Sequence, residues 1–516
     1  MFEVDVPAEE AELRWYDGAL GTGAVRVVQI IEGFKGTELS RRPGIGASWV
    51  HLSKSLSAWA GRRVTIELSN EGEGVGFFGV PQVVRVRPDR RAPDVLVYLL
   101  DTLRADRLGA WGSTAGNSPT FDRIASEGVA FRWAFSSSSW TKPAIPTLMT
   151  GVLPTVHGVG SFDVEPGRPP RPAFGSRLPD GVAVLAERFR GAGWRTASFV
   201  ANPWGSALSG LDRGFSTARL PRSWPGRLGE AADQVDARDM HDSFLAWLDE
   251  EADRPYFAYI HTMEVHEYLA RPYIGSPDPY GAAVRDAGLK LAELLEALRR
   301  RGRLDDLLLV VVSDHGESLG EREMVPGMPF VGHGISLYQA EVHIPILFWS
   351  TAHLSPAHIE HPVMLADVAP TLLDLFGLDP LLEAHGRSLL PLLRGRKGPV
   401  HDAVWMSLVS GQGEQHRLPS YAVVSHDLKK VYEKPNYGTC SWSTLPLCML
   451  SFDLDEDPGE AVPRRADGSK LARRLEAWKQ EQNELADRFR SHYGAPDNPA
   501  LTPQDAERLR ALGYVQ

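Results

Sequence analysis

Two short, wholly apolar runs constrain the fold of this chain more than any other feature: VLVYLL at 95–100 and LLLVVV at 307–312. Each is far shorter than the roughly 20 residues a membrane-spanning helix needs, and each reads as a strand buried on both faces. Helical periodicity precedes strand-like runs elsewhere. Val182, Leu185, Ala186 and Phe189 recur at i, i+3, i+4 and i+7 before TASFVA, and Leu291, Leu294, Leu295 and Leu298 do so before LLLVVV. Alternation of this kind implies a mostly parallel sheet covered by helices, an α/β architecture. In such sheets ligands bind outside the carboxyl ends of the strands. The first run delivers Asp101 to that edge, and the second delivers Asp314 and His315.

The rest of the 516 residues divides around this region. Residues 1–90 hold short strand patterns separated by Gly, Pro and Asn turns, which predicts a β-sandwich. Trp15, Tyr16, Trp49, Phe77 and Phe78 are expected in its core or in interdomain contacts rather than on a sugar platform. PDRRAP at 88–93 reads as a linker, 94–400 as the α/β domain, and 401–516 as a smaller sheet followed by a charged helix from about Lys470 to His492. Two stretches, 161–181 and Glu317 through Phe330, read as loops and candidate substrate walls. The net charge of −11, with no long basic block, argues against a nucleic-acid partner. No apolar stretch is long enough for a membrane span, no secretory leader is visible, and a cytoplasmic protein is the default expectation. Cys440 and Cys448, the two cysteines, suit either one local disulfide or a reduced pair. No feature selects an oligomeric state.

The segment SSWTKPAIPTLMTG at 138–151 places Thr141 where a strand-like run meets a proline-marked helix start. A hydroxyl there faces a helix N-terminus, which attracts anions, so anionic esters are the natural substrates. Pro146 lies deep enough to remove an intrahelical bond, which predicts an irregular start. Asp101, Asp314, His315 and the Thr141 hydroxyl together form a candidate site for one divalent cation, Ca²⁺, Mn²⁺ or Zn²⁺. A second ion would have only Glu264, His266 and His333 to draw on.

Residues 93–516 resemble the sulfatase branch of the alkaline phosphatase superfamily. The resemblance is carried, in order, by VLVYLLDTLRADRLG, SPTFDRIASEGVAFRWAF, the Thr141 segment through LMTGVLPTVHGV, YFAYIHTMEVHEYL, LLLVVVSDHGE, GHGISLYQAEVHIPILFW, LSFDLDEDPGE and LRALGYV. It implies an alkaline-phosphatase-like sheet flanked by helices and a small α+β C-terminal subdomain. LSAWAGRRVTIELSN with GVGFFGVPQVV resembles galactose-binding-like jelly-roll modules, which implies a possible sugar-binding accessory domain. The family further implies that His266, in HTMEVHEY, protonates the leaving group or binds the ester, and that His333 contacts the anion. Lys142 is a further candidate for anion contact. His157 and Asn202 fall, by the same resemblance, in pocket-facing stretches.

Departures from the family pattern shape the functional expectation. Where sulfatases carry C/S-x-P-S-R, this chain has Thr141, Lys142, Pro143, Ala144 and Ile145, and Thr cannot become formylglycine. Where paired aspartates are usual, it has Asp101 and Thr102. A formylglycine hydrate expels sulfate through its second hydroxyl; threonine lacks that exit. The expected activity is therefore metal-dependent hydrolysis of anionic esters through a Thr nucleophile, with phosphate esters or diesters favoured over sulfate esters. A phosphoryl- or phosphoethanolamine-type transferase and an inactive carbohydrate-binding scaffold are the alternatives.

Overall fold

The computed structural model describes all residues except 8–10, 21–23, 33–34, 44–49, 86–91, 161, 164–170, 173–175, 222–234, 252–253, 271, 326–327, 410–418, 436–446, 497–501, 504, 507–508 and 510–516. Trp49, Cys440, most of the 88–93 linker and nearly all of the terminal LRALGYV lie outside the described residues. Two compact units are present: Met1–Ala92 with Phe189–Arg195, and Pro93–Arg188 with Thr196–Gln516.

In the smaller unit, one antiparallel sheet orders Phe2–Asp5, Arg63–Glu71, Val25–Glu32 and Lys35–Pro43, and a second orders Val50–Ser55, Ala11–Leu20 and Val75–Arg85. Leu13 and Trp15 from one sheet and Val28, Ile30 and Ile66 from the other share a single apolar cluster, which is what a sandwich requires. Trp15 is buried as expected and Phe78 packs against the cluster, but Phe77 is exposed.

The larger unit is built on a nine-stranded sheet. Its order is Thr217–Arg219, Arg195–Val200, Tyr256–Thr262, Asp94–Leu100, Leu307–Val312, His343–Trp349, Val129–Phe135 and Ala357–Ile359, with Val363–Met364 also paired to Val129–Phe135. Asp94–Leu100 runs parallel to both of its neighbours, and His343–Trp349 is antiparallel to both of its own. The two apolar runs that opened the sequence therefore lie side by side, with Leu307 opposite Asp94. This adjacency brings Asp101 and Asp314 to one edge. Helix Pro279–Arg300 buries Leu291, Leu294, Leu295 and Leu298, as their spacing predicts. The other periodic segment starts later than its pattern, at Leu185, because Val182 closes a turn onto Pro179.

Beyond the main sheet, an antiparallel five-stranded sheet runs from Ala403–Leu408 to Arg464–Arg465, followed by helix Lys470–Tyr493. Trp478 of that helix stacks on Trp405 with centroids 4.9 Å apart. Cys448 is disulfide-bonded. Two loop expectations are corrected. Glu317 through Phe330 contains a hairpin of Ser318–Val325 and Met328–Gly332, and Phe162–Asp163 pairs with Arg171–Pro172. The first hairpin escaped detection because register shifts and Gly320, at φ 95, break its two-residue alternation.

Candidate active site

Helix Thr141–Thr150 begins at Thr141 and ends on Gly151, whose φ of 70 allows its N–H to reach the Thr147 carbonyl at 2.8 Å. Pro146 sits inside it without breaking it. The Thr147 and Thr150 hydroxyls donate to the Pro143 and Pro146 carbonyls at 3.1 and 2.6 Å, one turn back. The start is thus regular, contrary to expectation, and it aims the Thr141 hydroxyl at the strand-end cluster.

That hydroxyl lies 3.1 Å from His315 Nε2 and donates to Asp101 Oδ2 at 3.4 Å. His315 Nδ1–H donates to the Gly316 carbonyl at 2.9 Å, which leaves Nε2 turned towards Asp101 Oδ1 at 3.5 Å and Asp314 Oδ2 at 3.3 Å. All four residues are fully buried. Asp101, Asp314 and His315 offer ligand atoms within 4.8 Å of one another, the one such group among the described residues. Asp101 Oδ1 and Asp314 Oδ2 find no hydrogen-bond partner among those residues. Buried carboxylate oxygens without donors fit a divalent cation, and a His/Asp/Asp set with hydroxyl oxygen suits one. Burial lowers the basicity of His315, but the charges of Asp314 and Asp101 outweigh it and lift its pKa to about 9. Burial acts to raise that of Asp101, yet His266, His261 and His315 hold it well below the usual carboxylate range.

Around this centre the structure sorts the other predicted residues. His333 lies beside His315 with ring centroids 4.4 Å apart and planes tilted by 39°, and His266 lies beside His333 at 5.2 Å. His266, unlike the four central residues, is only partly buried. His333 Nδ1 is 2.7 Å from Glu317 Oε2; burial pushes the histidine down to about 3 and the glutamate up to about 7. Asn202 donates to Asp101 Oδ2 at 2.8 Å and accepts from the Trp204 N–H, so it orients the carboxylate. Lys142 is fully buried with its ammonium 4.1 Å over the Trp204 ring.

Two expectations are redirected. His157 accepts from the Val159 N–H at 3.0 Å through Nδ1, and its Nε2–H donates to Thr147 Oγ1 at 3.1 Å, so the ring braces the helix. Glu264 pairs with Lys290 at 3.0 Å and accepts from the Ala237 N–H at 2.6 Å, in a cluster with Asp236 and Asp286, because the long helix carries a lysine against it. Its Oε1 is thereby engaged by Lys290 and the Ala237 N–H.

Sequence reasoning missed His261 and Glu317, and read Thr102 only as a departure from the family's paired aspartates, not as a left-handed turn. His261 Nε2–H donates to Asp101 Oδ2 at 3.0 Å, and Nδ1 accepts from the Tyr259 hydroxyl at 3.0 Å. Its signal was available: it closes a buried strand, as the residues before Asp101 and Asp314 do. Glu317 carried no signal beyond proximity to those motifs.

The sequence profile of the Sulfatase family matches residues 93–378, more than half of the chain. The chain is 25% identical over 445 residues to the Homo sapiens protein named N-acetylgalactosamine-6-sulfatase, covering 76% of this chain and 83% of that protein. It is 22% identical over 441 residues to the Haloferax volcanii protein named low-salt glycan biosynthesis sulfotransferase Agl7, covering 82% and 96%. Among solved structures it is similar to the phosphonate monoester hydrolase of Agrobacterium radiobacter, with a TM-score of 0.58, 20% identity and coverage of 77% and 96%.

Proposed function

Because this chain belongs to the sulfatase family, within the alkaline phosphatase superfamily, and is a sulfatase-like ester hydrolase, we propose that it cleaves phosphate-type esters through Thr141. The observation that carries the reading is the Thr141 hydroxyl at a helix start, 3.1 Å from His315 Nε2 and 3.4 Å from Asp101. Asp101, Asp314 and His315 would hold a divalent cation, which when bound would acidify a nearby hydroxyl and offset the ester's negative charge. Thr141 Oγ, its proton released to solvent before attack, adds to phosphorus while the Asp101 carboxylate stays ionised. The new O–P bond replaces the bond to the leaving alcohol, and His266 supplies that alcohol's proton. Water then hydrolyses the phosphothreonine. Asn202 and His261 fix the Asp101 carboxylate; Lys142 and His333 contribute positive or hydrogen-bonding character to the anion's surroundings.

Threonine supports phosphate-type substrates because a threonine sulfate must be displaced at sulfur, without the second hydroxyl that a formylglycine hydrate uses to expel sulfate. The likeness to a protein named phosphonate monoester hydrolase points the same way. The test is a panel of aryl phosphate, phosphodiester, phosphonate and sulfate esters, with Thr141→Ala as the blank. The expected result is turnover of phosphorus esters that falls by at least about 10³-fold in Thr141→Ala. Faster multiple-turnover sulfate hydrolysis, lost in that variant, would overturn the proposal. A transferase reading draws on the relative named a sulfotransferase; acceptor alcohols that divert product from free phosphate to a new ester would favour it.

A further inference from the structure

A cavity of about 450 Å³, within the size range of small-ligand sites, has walls that include none of Asp101, Thr141, Asp314, His315 and His333. Its charge is unbalanced. Arg104, Arg107, Arg132 and Arg322 line it against two carboxylates, Asp106 and Glu321. Those two are already shared, because Arg104 pairs with both and Arg107 reaches the same Glu321 oxygen at 3.0 Å. Among the described residues Arg132 meets only Glu360, at 3.6 Å and with both side chains exposed, and Arg322 forms no ion pair. The Arg322 guanidinium instead donates to the Gly459 carbonyl and lies 4.5 Å over the Tyr338 ring. A guanidinium stays charged at any working pH and presents paired donors that match a carboxylate or phosphate, so the surplus favours an anion.

The remaining walls indicate what carries the anionic group. Gln339, also a wall residue, is 8% exposed, and neither the nitrogen nor the oxygen of its amide has a hydrogen-bond partner among the described residues. Buried amides are ordinarily satisfied at both ends, and hydroxyl groups, which donate and accept, suit either end. Trp111 and Trp133 add indole surface; the Trp111 N–H is taken by the Phe131 and Arg132 carbonyls, so that ring offers contact rather than a donor. His343 stacks on Trp133 with centroids 5.3 Å apart and donates through Nε2 to the Arg132 carbonyl at 2.8 Å; burial lowers its basicity, so it adds no lasting charge.

We propose that this cavity is a second ligand site for a sugar-sized, polyhydroxylated anion, its carboxylate or phosphate drawn by the surplus guanidiniums and its hydroxyls matched to Gln339. The site stands independently of the Thr141 chemistry above, which is judged by turnover rather than by binding here.

The test footprints arginines on full-length protein carrying Thr141→Ala, so that no phosphate ester is consumed. Phenylglyoxal labelling is mapped by peptide mass spectrometry with glucuronate, glucose 6-phosphate, inorganic phosphate or glucose present. At saturation the two sugar anions should slow labelling of Arg132 and Arg322 about 10-fold or more, while Arg300, exposed elsewhere, keeps its rate. Inorganic phosphate should protect only at higher concentration, and glucose should not protect. In calorimetry Arg132→Gln and Arg322→Gln should each weaken both sugar anions about 10-fold, with aryl phosphate turnover unchanged when Thr141 is intact. Gln339→Leu should weaken the sugar anions more than inorganic phosphate. Equal protection by glucose would overturn the anion, and equal affinity for inorganic phosphate and the sugar anions would overturn the sugar. No protection of either arginine, or affinities unmoved by the Gln substitutions, would overturn the site. Arg132→Gln changes an exposed side chain, and the footprint leaves both arginines in place, so the test stands even where Arg322→Gln fails to fold.

Discussion

At the scale of single residues, protonation and position decide what each group can do. His266, unlike the four central residues, is only partly buried, and it lies beside His333. If it protonates the leaving group, His266→Ala should slow alkyl esters by about 10²-fold or more while leaving nitrophenyl esters nearly unaffected, because a general acid matters most when the departing oxygen is basic. Equal slowing of both would make His266 a binding residue. His315 gives a second test. Its pKa in the metal-free fold, about 9, exceeds the ordinary 6.5. The imidazolium therefore stabilises the fold fully below pH 6.5, and that contribution disappears as pH rises through 9. Metal-free protein should lose Tm across this window, and His315→Gln should flatten the loss. Cation affinity should rise over the same range, since the ion competes with the proton for Nε2. A metal affinity independent of pH would remove His315 from the ligand set.

At the scale of elements, the helix that presents Thr141 depends on groups outside itself. Pro146 deprives it of one donor, and the Thr147 hydroxyl, held by His157, bonds the carbonyl of Pro143. His157 is also held neutral by burial, its pKa down at about 3. Replacing it leaves the buried Val159 N–H without its acceptor and opens a cavity, each worth on the order of 1–3 kcal/mol. His157→Ala should therefore lower stability in denaturant melts by about 2–4 kcal/mol while KM changes little in the folded fraction. A large rise in KM with unchanged stability would return His157 to the substrate. The Thr102 turn shows the same dependence. A β-branched residue at φ 61 costs of order 1–3 kcal/mol, and it persists because Tyr280, from the helix Pro279–Arg300, holds both the carbonyl before the next peptide and the N–H two residues on.

At the scale of the whole molecule, a cation bound at the junction of two buried strands stabilises the native fold by mass action. Free metal at 100 times its dissociation constant should add about 2.7 kcal/mol to unfolding stability, so Tm should climb with metal concentration and fall on chelation. A Tm insensitive to every divalent ion would contradict a native metal site. Asp101, Asp314 and His315 were legible from sequence because a short apolar run has one stable place, inside a parallel sheet, and its end must then lie at the ligand-bearing edge. Thr141 was legible for a similar reason, as a proline-marked helix start following a strand-like run. The alternation of such runs with periodic helices was enough for the fold class. Local pattern says nothing, however, of which residues distant in the chain face one another. Only the tertiary structure brought His261 and Asn202 onto the same Asp101 oxygen, turned Glu264 towards Lys290, and committed His157 to Thr147. Likewise the strained Thr102 could not be read beforehand, since its backbone angle is imposed by Tyr280 and Ser313, whose hydrogen bonds come from more than 170 residues away in sequence. Hydrophobic periodicity encodes which face of an element is buried; the pairing of buried polar groups is decided only when those faces meet.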